Sequence, residues 1–418
     1  VKPHARPQSR LSQAGLSLIE LMVALLLSGL LLVGLVQIFS ASRASYQMAQ
    51  GLARVQETSR FAIDYLQRDA RMAGQFGCVN DQVHIYAGHG MFGELFLSDR
   101  TNYTTLPNIA NKEALNFDFS IQGFEAKGSS SGDTVDLSAA TLPNGTGSDW
   151  TPALPASMLA LTPAPIKGSD VLALRFLSAE SADILSFNLP GETGPNATIN
   201  VNPTQWPVLK KDLDKGGLFG LADCRQVVVF AANQVSEGAT ATTLTIAASG
   251  VNQSTFDGSD TFAPGQARVY RADSFVYYVG LNDQKLPSLY RARYNVEPGS
   301  GAITLAGGAS EQLVDGVENL QLLYGQDSVT DATKAPIGLI ESTRRADQLL
   351  PAGDQRTAWQ RVGAMQVGLL VSSSDPAASG QRATSPQSLG VSFKLPNDGR
   401  FRTTYETSIA LRNRLYGN

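Results

Sequence analysis

Side chains that carry chemistry are scarce in this chain. Its 418 residues hold only two cysteines, Cys78 and Cys224, and three histidines, His4, His84 and His89. The cysteines form no CxxC pair, so neither a zinc site nor a thioredoxin-like motif is indicated. His84 and His89 stand five apart beside Gly88 and Gly90, and a metal centre would need further ligands that the neighbouring sequence does not clearly supply. No P-loop, HExxH or GxSxG motif occurs, and no GxGxxG opens a helix. Asp212 and Asp214, and Asp257 and Asp260, lack the ligand ladder and terminal glutamate of a calcium loop and fit solvated turns. Asp327 and Asp331 follow a strand candidate and also fit a turn, with calcium as the rival reading. The expectation is a protein without a catalytic site, metal or cofactor.

Charge is also sparse. Charged residues make up 17% and the net charge is −4, so no general attraction to nucleic acid follows. Beyond residue 40 no apolar run is long enough to cross a bilayer. Glycine and proline are plentiful instead, at 39 and 20, which announces many turns.

The N-terminal stretch carries the most information. Residues 1–15 contain Lys2, Arg6 and Arg10 and no acid, which predicts that this end stays cytoplasmic and the body lies outside. The small pair Ala14-Gly15 precedes the apolar segment, whereas an ordinary secretory signal is cut after it. A cut after Gly15 would leave the apolar run on the mature chain. Leu16–Phe39 is then about 36 Å of helix at 1.5 Å per residue, enough to span hydrocarbon with some tilt. Its strongly polar members are Glu20 and Gln37, and Gly29 and Gly34 permit close helix contacts. An acid deep in a span costs about 2.5–3.5 kcal/mol, less near an end. Glu20 lies one turn from Leu16, so the free amine of a chain cut after Gly15 could pair with it, within one subunit or from a neighbour. If the body is exported, an oxidising compartment would let Cys78 and Cys224 pair; the rival reading is two buried thiols.

The run Gly15-Leu16-Ser17-Leu18-Ile19-Glu20-Leu21 resembles the class III signal of type IV prepilins and type II secretion pseudopilins. Leu16 replaces the more usual phenylalanine. The resemblance implies cleavage after Gly15 by a prepilin peptidase, N-methylation of Leu16, and use of Glu20 as an assembly contact. Later motifs narrow it to the PilW-like minor pilins: Asp69 through Gly74 with Gly77-Cys78, Asp223-Cys224, Tyr277-Tyr278-Val279, Ser288 to Arg291, Gly316 to Leu320 with Tyr324-Gly325, and Leu411-Arg412-Asn413, in that order. Such relatives imply a low-abundance type IV pilus subunit in a tip complex that primes assembly. Its expected partners are other minor pilins, the major pilin and, in relatives, a large tip adhesin. The expected location is the inner membrane with a periplasmic body, then the pilus tip. The nearest alternative is a J-type pseudopilin of type II secretion, which is usually much shorter after its helix. A membrane-anchored periplasmic binding protein is the alternative from another class.

The fold expected is α+β and pilin-like: a long N-terminal α-helix, then a large, mostly antiparallel β-rich globular body. The expected divisions are a leader at 1–15, a transmembrane and assembly helix at 16–39, an amphipathic continuation at 40–77, and a periplasmic body at 78–418. In the continuation, Met48, Leu52, Val55, Ser59, Ala62, Leu66 and Ala73 recur at helical steps. Arg54, Arg60, Arg68 and Arg71, interleaved with Glu57, Asp64 and Asp69, read as its solvated face. Residues 80–168 read as surface elaboration, because five prolines fall between Thr141 and Lys167. Strands are expected at Val171–Leu177, Ile184–Leu189, Gln226–Ala231, Thr242–Ala247, Ala267–Tyr270, Ser274–Val279, Ser288–Tyr294, Val317–Tyr324, Ala364–Ser372, Val391–Leu395 and Thr403–Leu411. That length of body suggests two packed sheets or two lobes.

Overall fold

A computed structural model describes residues 15, 17–80, 92–95, 112–138, 142–211, 216–331, 334, 336–377 and 385–414. His4, Leu16, His84, His89, Asp212 and Asp214 lie outside the described residues.

One helix, α1 (Leu18–Met72), runs without a break from the apolar segment into the body. It contains no proline, and its one early acid, Glu20, sits in the first turn, where the helix dipole favours negative charge. At 1.5 Å per residue it is about 82 Å long. Its termination is local: Ala73 leaves the helical region, and Gly74 and Gly77 take positive φ at 79° and 75°. A side chain at Gly77 would also meet Ala222, 2.8 Å from the position of its Cβ. The turn therefore closes directly against the sheet.

Two sheets receive this helix. The larger has thirteen strands; at its centre β2 (Val171–Asn188) pairs antiparallel with β3 (Arg268–Leu281), preceded at its edge by β1 (Ile121–Ala126) and followed by β4 (Pro287–Val296). The smaller has four strands, with β5 (Val317–Asp327) and β6 (Val362–Pro376) inside and β7 (Arg400–Ala410) at one edge. Among the described residues pairing is antiparallel except for two short parallel contacts, Gln226–Val229 with Phe92–Leu95 and Ser392–Lys394 with Thr134–Asp136. The body is thus the mostly antiparallel, α+β arrangement expected.

Period-two alternation decides which side chains meet α1. Leu172, Leu174 and Phe176 of β2, Phe275, Tyr277 and Val279 of β3, and Leu320, Leu322 and Tyr324 of β5 join Val55, Ala62, Leu66 and Ala70 of the helix in one core. The intervening residues of β2 and β3, including Ala173, Val276 and Tyr278, face a second core. A third, aromatic core lies at the far ends of the same strands, where Phe187, Phe256 and Phe262 pack edge to face with centroids 5.0–6.0 Å apart.

Three expectations need correction. Val171–Leu177 and Ile184–Leu189 are one 18-residue strand, β2, which passes from one core to the next. Ala267–Tyr270 and Ser274–Val279 likewise merge into β3, with a register shift between Tyr270 and Ala272. The third concerns residues 80–168. Their described part is no surface elaboration: Phe117, Phe124, Trp150 and Met158 are buried in the second core. Arg175, fully buried, pins this segment by donating from Nε to Ala114 O (3.1 Å), from Nη1 to Phe119 O (2.9 Å) and from Nη2 to Glu113 O (2.8 Å).

Candidate assembly helix and its seat on the body

Among the described residues, nothing packs against the first half of α1. From Leu18 to Phe39 every large apolar side chain is more than half exposed, and a window of this stretch has mean hydropathy 2.6. Water would not tolerate such a surface on all sides of a helix; hydrocarbon or other apolar helices would. Neither Gly29 nor Gly34 has any atom within 4 Å of where a Cβ would stand, so both are open for close approach from outside.

Gly15 and Ser17 are exposed on either side of Leu16. Glu20 bends back over the helix start, and its Oε2 accepts the Ser17 N–H at 3.2 Å. The carboxylate thus satisfies one of the unpaired donors that every helix N-terminus leaves.

The first fully buried residue of α1 is Gly51. A Cβ there would lie 2.6 Å from Ala377 Cβ, so the absence of a side chain sets the distance between α1 and the end of β6. From Phe39 to Gly51 the helix rises about 18 Å. From Gly51 the buried stripe continues through Val55, Ser59, Ala62, Leu66, Asp69 and Ala70. Most of the expected face is there, but Leu52 is exposed and Met48 only half-buried. Gly51, one residue earlier than Leu52, takes its place because close backbone contact outweighs side-chain area at that point. Arg54, Arg60, Arg68 and Arg71 are exposed, as a solvated face requires.

Asp69 does not belong to that solvated face. It is buried, and Arg291 Nη1 donates to its Oδ2 at 2.9 Å while Tyr277 Oη donates to the same oxygen. Burial holds the Tyr277 hydroxyl well above its ordinary range, and the Asp69 charge adds to this, so it remains a donor. Sequence spacing could have found the site: Asp69 falls three past Leu66 and seven past Ala62, on the buried stripe.

Cys78, just past the helix, is bonded to Cys224 in the turn before Gln226–Ala231. The bridge ties the end of α1 to the large sheet across a separation of 146 residues. Asp327 accepts backbone N–H groups from Val329 (2.8 Å), Ile337 (3.0 Å) and Gly338 (2.6 Å), which is the turn reading of that residue. Asp331 instead pairs with Lys334 at 3.6 Å. Asp257 and Asp260 also organise a turn: Asp257 Oδ1 accepts from Ser259 N and Asp260 Oδ2 from Asp257 N. Among the described residues no group of three or more His, Cys, Asp or Glu is arranged to hold a metal.

An unpartnered apolar helix of membrane-spanning length, seated by its other half on an α+β body, defines a pilin-like protein with a single-pass anchor. Comparison with known proteins points the same way. Residues 10–36 match the family model of the prokaryotic N-terminal methylation motif, and residues 276–413 match that of type IV pilus-assembly protein W. The chain is thus similar in its C-terminal third to PilW proteins and at its start to methylated prepilin-like proteins, and the two matches together support a type IV pilus-associated, pilin-like protein with a class III signal. No curated protein and no solved structure matches it. The second matched region holds Tyr277, Arg291 and all of β4 to β7, so it contains most of the seat of α1. The disulfide and the aromatic core lie mainly outside it.

Proposed function

We propose that the chain is a minor pilin of the type IV pilus, acting in the tip complex that primes filament assembly. One observation carries this reading: an exposed apolar half-helix with Glu20 at its start is continuous with the half that docks on a PilW-type sheet. In this mechanism residues 16–39 hold the subunit in the inner membrane, with the body in the periplasm. A prepilin peptidase cuts after Gly15, and the Leu16 amine is exposed and methylated. Glu20 then pairs with an amine in the growing helix bundle, alongside other minor pilins and the major pilin. The bulk of the body suits a tip, where a large adhesin is also a candidate neighbour, better than a repeating shaft. The role is structural, without catalysis.

The match to a pilus-assembly family supports this over a J-type pseudopilin of type II secretion. Mass spectrometry of the protein recovered from membranes and sheared filaments tests it. The expected N-terminus is N-methylated Leu16; one beginning at Val1, or beyond Phe39, would overturn the reading. Loss of the protein should remove surface pili and leave type II secretion intact.

A further inference from the structure

A cleft of about 490 Å³ opens where the end of β2, the turn at Asp223–Gln226 and the loop at Ser259–Gln266 converge. This is the size range of small-ligand sites. One wall is apolar: half-buried Phe187, held edge to face by Phe256 and Phe262, with Leu189 beside it. The packed rings fix Phe187, so its exposed part is a rigid surface.

The other wall has more acceptors than donors. Gln226 is 3% exposed; its Nε2 donates to Thr261 O at 2.6 Å, while its Oε1 has no hydrogen-bond partner among the described residues. A buried acceptor left in that state is destabilising, and a bound donor would relieve it. Asp223 uses Oδ1 for both Arg225 N (2.7 Å) and Gln226 N (2.8 Å), and Glu192 uses Oε2 for Leu189 N (2.8 Å). Each places a carboxylate at the cleft in a fixed orientation. Arg225, exposed at the rim, is the cation there.

We propose that this cleft binds a carbohydrate ring. A pyranose offers a C–H face to Phe187 and Leu189 and several hydroxyl donors to Gln226, Asp223 and Glu192, with hydroxyl oxygens that can accept from Arg225. An alkylammonium group would satisfy the acceptors but meet repulsion from Arg225 and leave that donor unused. The cleft's place in the fold also fits recognition. The Asp223–Gln226 turn contains Cys224 and is bonded through it to Cys78, beyond the end of α1 farthest from the apolar run. The distance along the helix from Phe39 to Met72 is about 50 Å.

Saturation-transfer NMR on the full chain in a sugar-free zwitterionic detergent tests the site. The probes are glucose, galactose, N-acetylglucosamine, N-acetylgalactosamine and, as the rival chemistry, butylammonium. At least one sugar should bind at millimolar concentration. Ala263→Trp adds bulk from an exposed position on the cleft wall and should weaken binding at least tenfold, with unfolding temperature and disulfide unchanged. Phe187→Leu should weaken it similarly. Binding of butylammonium but no sugar, no binding at all, or sugar binding unaltered in Ala263→Trp would overturn the proposal. Because binding is read on the purified chain, its failure is distinguishable from failure of the pilus reading, which is decided by N-terminal mass and piliation.

Discussion

Asp69 of α1 and Arg291 of β4 form an ion pair at 2.9 Å that closes the seat of the helix, with Tyr277 of β3 donating to the same carboxylate oxygen. Asp69 is among the last residues of α1, and 222 positions separate it from Arg291. Arg291 also reaches Glu311 at 2.8 Å, but that partner is mostly exposed. Replacing Asp69 with Ala would leave the guanidinium half-buried over the Phe275 ring, at 4.7 Å, with the exposed Glu311 as its remaining ion-pair partner among the described residues. The expected cost is about 3 kcal/mol, the lower end for breaking a buried pair. Tyr277→Phe removes a single hydrogen bond to a charged group and should cost about 1.5 kcal/mol. Urea denaturation of the two variants checks both values; a cost below that of Tyr277→Phe for Asp69→Ala would mean that Glu311 suffices.

Gly51 sets two effects against each other. Alanine is favoured over glycine within a helix by about 1 kcal/mol. Here its Cβ would stand 2.6 Å from Ala377 Cβ, closer than such atoms approach without displacement. Overpacking of this kind costs about 1–3 kcal/mol, so the steric effect should win. Gly51→Ala is expected to destabilise the contact between α1 and β6, seen as faster proteolysis around Gly51. Gly29→Ala is the control, since nothing lies within 4 Å of its Cβ position, and should leave the proteolysis pattern unchanged.

The junction between the two sheets holds two buried acids. Burial, with the charge of Asp170 added, pushes Glu125 up to about 10, although Arg345 lies 3.7 Å away. Asp170 is pushed up to about 7 by burial, against the N–H groups of Ala126 and Leu322, which donate to it at 2.8 Å each. Both shifts are upward, so the folded chain retains protons that the unfolded chain has released. Their contribution to stability is full below the unfolded carboxylate range near pH 4 and declines as pH rises through 7 towards 10. Glu125→Gln stays neutral and should remove part of that decline. Between pH 5 and 9 the natural protein should lose stability relative to Glu125→Gln by up to about 1.4 kcal/mol per pH unit. Parallel stability–pH curves would place the charge change elsewhere.

Much of this architecture was legible because α1 and the strands of its seat follow simple periods. The apolar run, the buried stripe from Val55 to Leu66 and the alternation in β5 and β6 each need only local pattern. The disulfide was legible as one of two alternatives, since export decides whether two distant cysteines can pair. What escaped depends on tertiary context. The stretch around Ala179 and Glu180 separates two expected strands, yet β2 continues through it as an irregularity, its pairing with β3 passing from Leu177 to Ser181 across the register shift at Tyr270–Ala272. The proline-bearing segment before Lys167 looks like a surface loop, yet Trp150 is buried and donates from Nε1 to Ser169 O at 2.9 Å. Asp69 was hidden by its charge, since its partners are more than two hundred residues away.

Glu20 has two roles to separate, and charge distinguishes them. Its Oε2 accepts the Ser17 N–H at 3.2 Å, a capping bond that a neutral amide oxygen could also accept. Pairing with the Leu16 amine of its own or a neighbouring subunit requires the negative charge. Glu20→Gln keeps the cap acceptor and removes the charge, whereas Glu20→Ala removes both. Neither change should hinder membrane insertion, because both make the span less polar. If assembly uses the charge, both variants should reduce the protein recovered in sheared filaments at least tenfold, equivalent to about 1.4 kcal/mol, with unchanged amounts in the membrane. If only the cap matters, Glu20→Gln should assemble like the natural protein and Glu20→Ala should show a mild loss. Immunoblots of filament and membrane fractions decide between them, and normal filament incorporation of Glu20→Gln would remove the pairing step from the assembly mechanism.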